Sequence, residues 1–286
     1  MGRFRNVIWL PIGLYLAAVI LFAWNPTPFA QGLAAIAICT AYAHACLTYG
    51  WRDGTVFALI CLVVSLTVEN IGLTTGLMFG HYHFTVGANL PHIGAAPLIV
   101  GPLWFGMGYF SWVTAATILR RPGLFSLPAL AACVMTSWDL VMDPPDSTIS
   151  KTWIWRDGGV DFGVPLSNYA GWLFTAGLFY TLFALHRRAA GRPLMPATTH
   201  DGAPRMVAIL FYVCPGLTQL VPLFIGSSGT IADAAGHLWR IENIREASAR
   251  TMLLTMLPAA LLAARGLRRG GRTRHAPDAA GAGAGT

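Results

Sequence analysis

Three carboxylic acids stand where a polypeptide seldom keeps them. Glu69 lies within the apolar run 55–74, in Glu69-Asn70-Ile71-Gly72-Leu73-Thr74-Thr75-Gly76. Asp139 and Asp143 close the run 124–143, in Trp138-Asp139-Leu140-Val141-Met142-Asp143-Pro144-Pro145. On a helix the i, i+4 spacing puts these two aspartates on one face, and Pro144 with Pro145 ends that helix. Charge inside an apolar segment is costly, and acids kept there despite the cost usually serve function. A helix C-terminus and apolar surroundings both disfavour negative charge. An acid so placed can keep its proton at neutral pH and hand it to a substrate. The competing reading makes the same acids structural, as caps or as partners of Arg156 or Arg240.

Other residues gather toward the same end. Trp104, Trp138, Trp153, Trp155 and Trp172 lie there or lead toward it. They fit an interfacial belt, and their faces would equally line a groove for a polyene or stabilise a cation. Asn70 and Asn168 are amides in apolar context, suited to holding a water or a neighbouring helix. His81-Tyr82-His83 with His92 offers two ligands at i, i+2 and a third. The loop is otherwise poor in ligands, so no metal is expected. The sequence contains no HxxxH or HxxHH cluster, P-loop or dinucleotide fingerprint. No cofactor is therefore expected, which leaves acid–base chemistry on a lipid-soluble substrate.

The elements that must position these residues are membrane helices. Of the residues, 55% are hydrophobic and 11% charged, where soluble domains carry about 25% charged; mean hydropathy is +0.56. A spanning helix needs about 20 apolar residues. Eight runs qualify, near 7–24, 31–49, 55–74, 97–119, 124–143, 165–185, 206–225 and 249–264. The last is short, and the count falls to seven without it. The expected fold is an all-α polytopic transmembrane bundle over residues 1–265, with a disordered basic tail over 266–286. The first run is taken as a retained helix, since no small-residue cleavage site follows it.

Basic residues orient the bundle. Fourteen of the 19 Lys and Arg residues fall at one set of helix ends, namely Arg3, Arg5, Arg52, Arg120, Arg121, Arg187, Arg188, Arg192, Arg205 and the tail from Arg265 to Arg274. Lys151, Arg156, Arg240, Arg245 and Arg250 make up the other set. Both termini are thus expected in the cytoplasm, in a cell inner membrane crossed several times. The net charge of +7 points to topology and anionic lipid rather than nucleic acid. The five cysteines all fall in apolar runs without a CxxC pair, which suits buried thiols. The outer connections near 75–96, 144–164 and 226–248 are the longer ones and hold most of the loop His, Asp and Trp residues.

In order and spacing, the motifs resemble the carotenoid biosynthesis protein family that contains the carotenoid 1,2-hydratases. The matching residues are Glu69-x-x-Gly72, Thr75-Gly76, Phe79-Gly80-x-Tyr82, Pro97, Trp104 and Asp139-x-x-x-Asp143-Pro144. They continue with Trp153-x-Trp155, Gly158-Gly159, Phe162-Gly163-Val164-Pro165-Leu166, Asn168 and Gly171-Trp172. The resemblance covers about residues 65–175 and departs at Val160-Asp161, where an aromatic is expected before Phe162. It implies addition of water to the terminal C=C of an acyclic carotenoid. A protonated Glu69 or Asp143 would supply the proton, and Asp139 would orient or deprotonate the water. Tyr82, Trp104, Trp138, Trp153, Trp155, Asn168 and Trp172, with His81 and His83, would bind the substrate. The expected partners are that carotenoid, the lipid bilayer and other carotenoid biosynthesis enzymes. A cyclase would share the protonation but let an internal double bond capture the cation. A carrier would bind the pigment without reaction.

Overall fold

The computed structural model describes residues 13–15, 18, 30–119, 121–196 and 202–272. Among the described residues it is a helical bundle with three two-stranded antiparallel sheets at one end. Helix α1 (Ala30–Tyr49) turns at Gly50 into α2 (Trp51–Thr75), and α3 (Val100–Ile118) and α4 (Ser126–Asp143) follow. Next come α5 (Leu166–Ala189), α6 (Ala203–Leu217), α7 (Ile241–Leu254) and α8 (Met256–Arg272). The expected span 7–24 lies almost wholly outside the described residues. The tail expected from 266 is helical to Arg272, and the rest of it also lies outside them.

Among the described residues, four helical stretches are long and apolar enough to cross a membrane: Gly32–Tyr49, Trp51–Thr75, Ala203–Ile225 and Ile241–Leu267. The helices show lipid the side chains that a soluble protein would hide. On α5, Phe174, Leu178, Leu182 and Leu185 recur at helical spacing and all are exposed. Such a continuous apolar stripe suits a membrane-facing surface. Inside, Phe57 stacks on Phe183 at 4.2 Å and Trp112 on Tyr180 at 5.4 Å, joining α2, α3 and α5.

Proline decides where two helices bend. Pro258 has no N–H to give the carbonyl of Leu254, so the last apolar stretch breaks at Thr255 into α7 and α8. The span expected at 249–264 is therefore longer and bent. Pro144 and Pro145 do end α4, but the chain continues as one π-helical turn over Pro144–Ile149. Pro145 leaves the carbonyl of Val141 without its usual partner, and the hydroxyl of Ser248 on α7 donates to it at 2.6 Å. The break in one helix thus fastens another.

The strands roof the end where Thr75, Val100, Asp143 and Leu166 meet. Strands β1 (Tyr82–Phe84), β2 (His92–Ile93), β3 (Ala96–Pro97), β4 (Trp153–Trp155), β5 (Thr230–Ala232) and β6 (Leu238–Arg240) pair antiparallel as β1–β4, β2–β3 and β5–β6. Asn70 pins the β2–β3 hairpin to α2, accepting from the N–H of Ala95 at 2.7 Å and donating to Leu66 O at 2.7 Å. Lys151 donates to Ala232 O at 2.8 Å, joining the other two roof segments. At the opposite end Asp53, at the start of α2, is buried against Arg187 at the end of α5, with Arg192 at 2.6 Å and His186 at 3.2 Å.

Candidate active site

The roof is held low over the helices by one aromatic ring. Phe79 sits between Gly72 of α2 and Gly171 of α5. A Cβ at either position would come within 2.8 or 2.6 Å of that ring, so only glycine allows the approach. The indole N–H of Trp155 donates to the carbonyl of Phe79 at 2.8 Å, tying β4 to the same point. Strand alternation then sorts the side chains. Tyr82 and Phe84, paired with Trp155 and Trp153, face inward over the helix ends, while His83 and Ile154 pair on the opposite face.

Under this roof lies a cavity of about 330 Å³, within the size range of small-molecule sites. Glu69, Asp143, Asn168, Tyr82, Trp104, Trp138, Trp153, Trp155 and Trp172 all line it. Trp104 and Trp172 stack at 4.0 Å, with Trp138 at 6.1 Å from Trp172. The walls are mostly apolar, with Glu69 and Asp143 among the lining residues.

The acids have neutral partners. Glu69 accepts from the phenol of Tyr82 through one oxygen and from the indole N–H of Trp104 through the other, at 2.9 Å for the latter. Asn168 donates to both Asp139 and Asp143, at 3.0 and 2.6 Å. Asp139 lies behind the wall, fully buried, and its second oxygen has no hydrogen-bond partner. None of the ion pairs among the described residues involves these three acids. Arg240 instead faces Glu242 at 3.7 Å, so the pairing weighed for it from sequence goes elsewhere. Burial, followed by the nearby Glu69 carboxyl, pushes the Tyr82 phenol well above its ordinary range.

A turn sets Asn168 in place. Phe162 and Gly163 both adopt positive φ, 53° and 91°, which for phenylalanine is a strained conformation. The hydroxyl of Thr148 donates to Phe162 O, and Tyr169 on α5 donates to Asp161 at 2.6 Å. Asp161, where the motif departed from its expected form, thus anchors the turn that starts α5.

Of the other expected site residues, His81 and His83 are exposed and stand outside the cavity lining. His81 pairs with Asp157 at 3.0 Å on the surface, an arrangement that contributes little. His92 is in β2, within reach of Leu90 O at 2.7 Å. Sequence reasoning left Asp146 in an outer connection and did not count it with the site acids, yet it lines the cavity beside Asp143. Its signal was present as a third acid three residues on, but the prolines hid it by appearing to end the helix. The chain keeps turning through them, and Asp146 comes back to the same side. Half-buried there, its carboxyl is pushed up to about 7 by burial. The hydroxyl of Thr152, another lining residue, donates to Asp146 O at 2.7 Å.

A sequence profile described as "Carotenoid biosynthesis protein" matches residues 9–234. The chain is also 29% identical, over 155 residues, to the bisanhydrobacterioruberin hydratase of Haloarcula japonica. That match covers 48% of this chain and 50% of the relative, so it spans about half the length of each. No solved structure matches the chain.

Proposed function

The chain belongs to the carotenoid biosynthesis protein family, and from that premise we propose that it hydrates the terminal C=C of an acyclic carotenoid. The observation that carries this reading is the placement of Glu69 and Asp143 on the walls of one apolar, tryptophan-lined cavity. Such a site receives a hydrocarbon end group and offers it a proton.

In this mechanism Asp143 gives its proton to the terminal isopropylidene group, at the carbon bearing hydrogen. The positive charge develops on the tertiary carbon. The faces of Trp104 and Trp172 stabilise it, as do the surrounding carboxyls. Water adds to the cation, and the resulting oxonium loses a proton to a carboxylate of the group. That proton then passes back to Asp143 through water, so the acids regain their starting protonation and the net change is alkene plus water to tertiary alcohol. Asn168 holds Asp139 and Asp143 together through one amide, so a single proton between the two carboxyls completes their hydrogen bonding. Glu69 accepts on both oxygens, which suits it to receive the proton released by water. Asp146 and Thr152 give the cavity a polar rim through which that water enters.

The deciding experiment is expression in a lycopene-producing host, with mass analysis of the pigments. The expected product has gained one molecule of water, and in heavy-oxygen water its hydroxyl carries the label. An isomer of unchanged mass would make the protein a cyclase. Label taken from O₂ would overturn hydration, and unchanged pigment would favour a carrier.

The same reading places the acids at the non-cytoplasmic face of a cell membrane, on the charge asymmetry of fourteen against five. Reporter fusions after residues 122 and 270 are expected to read cytoplasmic, and one near 150 external. The opposite readings would put the site on the cytoplasmic face.

A further inference from the structure

The cavity has a second end. Besides α2 and α4, which carry the acids, it is bordered by α1, α3 and α6, where Leu33, Ala34 and Ala37 of α1, Gly106 of α3 and Pro215 of α6 line it. The α1 residues follow helical spacing and form one face. All five residues are uncharged, in contrast to the acid-bearing end. Ala34, Ala37 and Gly106 present at most a methyl group to the space. The clearance is small, since a Cβ at Gly106 would come within 3.3 Å of Ile38. Along α3 the lining runs from Val100 to Met107, about 10 Å of helix.

This shape fits the part of the substrate that does not react. An end group held at Asp143 is followed by a stiff apolar chain, and such a chain passes most readily where the lining side chains are small. We infer that this arm holds the polyene next to the reacting end group, and that Ala34, Ala37 and Gly106 decide which chains fit. The inference rests on the proposed function for what reacts, but not for what binds. In a close apolar pocket a misfit the size of a methylene alters discrimination about 10–200-fold, and a phenyl group exceeds that size.

The test uses the full chain in lipid nanodiscs with two probes, lycopene and geranylacetone. Both carry the terminal isopropylidene group, and geranylacetone has only a short chain behind it. Ala37→Phe narrows the arm. Leu47→Phe is the control, placing the same phenyl ring at a position of α1 that is 86% exposed. Bound lycopene is read from its absorbance after purification, and turnover is measured for each probe. Ala37→Phe is expected to lose bound lycopene and to lower lycopene turnover by at least about tenfold. Its turnover of geranylacetone should stay near that of the unaltered chain, and Leu47→Phe should match that chain with both probes. Equal loss on both probes, or unchanged lycopene binding in Ala37→Phe, would overturn the arm. If the unaltered chain converts neither probe, the hydration reading fails alone. The binding comparison still decides the arm in that case.

Discussion

Glu69→Gln and Asp143→Asn are each expected to yield a folded, inserted protein whose turnover falls about 10²–10⁴-fold, the usual contribution of a general acid or base. The amides keep the size and polarity of the acids, but remove the proton that Asp143 gives and the basic oxygen with which Glu69 receives one. Their neighbours tolerate the exchange to different degrees. At Glu69 the amide oxygen can still accept from Trp104 or Tyr82, but its NH₂ group cannot accept at all. At Asp143 the remaining oxygen can still receive Asn168. The proper measure is therefore activity per amount of correctly inserted protein. Asp157→Asn is the comparison, since Asp157 pairs only at the surface with His81, and it should change turnover little. A structural role predicts the reverse pattern: poor insertion and low thermal stability, with near-normal turnover in the surviving fraction. Near-normal turnover for both variants would remove these acids from the chemistry.

The largest expected effect on stability lies at the other end of the bundle. Asp53→Asn should destabilise the protein by about 3–5 kcal/mol, the typical consequence of removing one partner from a buried ion pair. Asp53 and Arg187 are 2% and 3% exposed, so the guanidinium cannot turn to water when its carboxylate goes. Its remaining contacts are Pro193 O, at 3.1 and 2.7 Å, and the ring of Tyr49 at 5.0 Å. Arg192→Gln should cost far less, because the Arg192 side chain is 48% exposed and already shares its charge with solvent. Asp53 and Glu69 are separated by about 24 Å along α2. The surviving Asp53→Asn protein should accordingly keep near-normal activity per inserted molecule. Thermal unfolding in detergent, read alongside specific activity, tests both statements. A fall in activity without a fall in stability would place this cluster in the reaction.

These two outcomes separate what was legible along the chain from what was not. The acids were visible because charge in an apolar run is costly wherever it occurs, and that cost can be read without knowing the fold. Their common end followed from alternating spans and from the arginine bias. The central helices were legible for the same reason, since lipid requires long apolar segments. Their neighbours were less accessible. Nothing local says that Tyr82 reaches Glu69, or that one amide at Asn168 meets two aspartates. These contacts join residues distant in sequence, brought together by a roof of short strands. The strands themselves are two or three residues each, too short to leave a periodic signal. His81 and His83 stood out by residue type, yet alternation about the inward-facing Tyr82 turned them away from the cavity.

Composition and spacing alone determined that the chain is a helical membrane protein and which three acids are its chemical candidates. Each of these depends on one-dimensional properties: segment length, apolarity and charge. The tertiary structure alone decided that Glu69 and Asp143 share one cavity and that Asp146 joins them. It also decided that Ala34, Ala37 and Gly106 border the same space. Those facts depend on how α1 to α6 lie side by side and on the closeness of Phe79 to Gly72 and Gly171. Close packing is a property of surfaces meeting in three dimensions, and no single segment carries it.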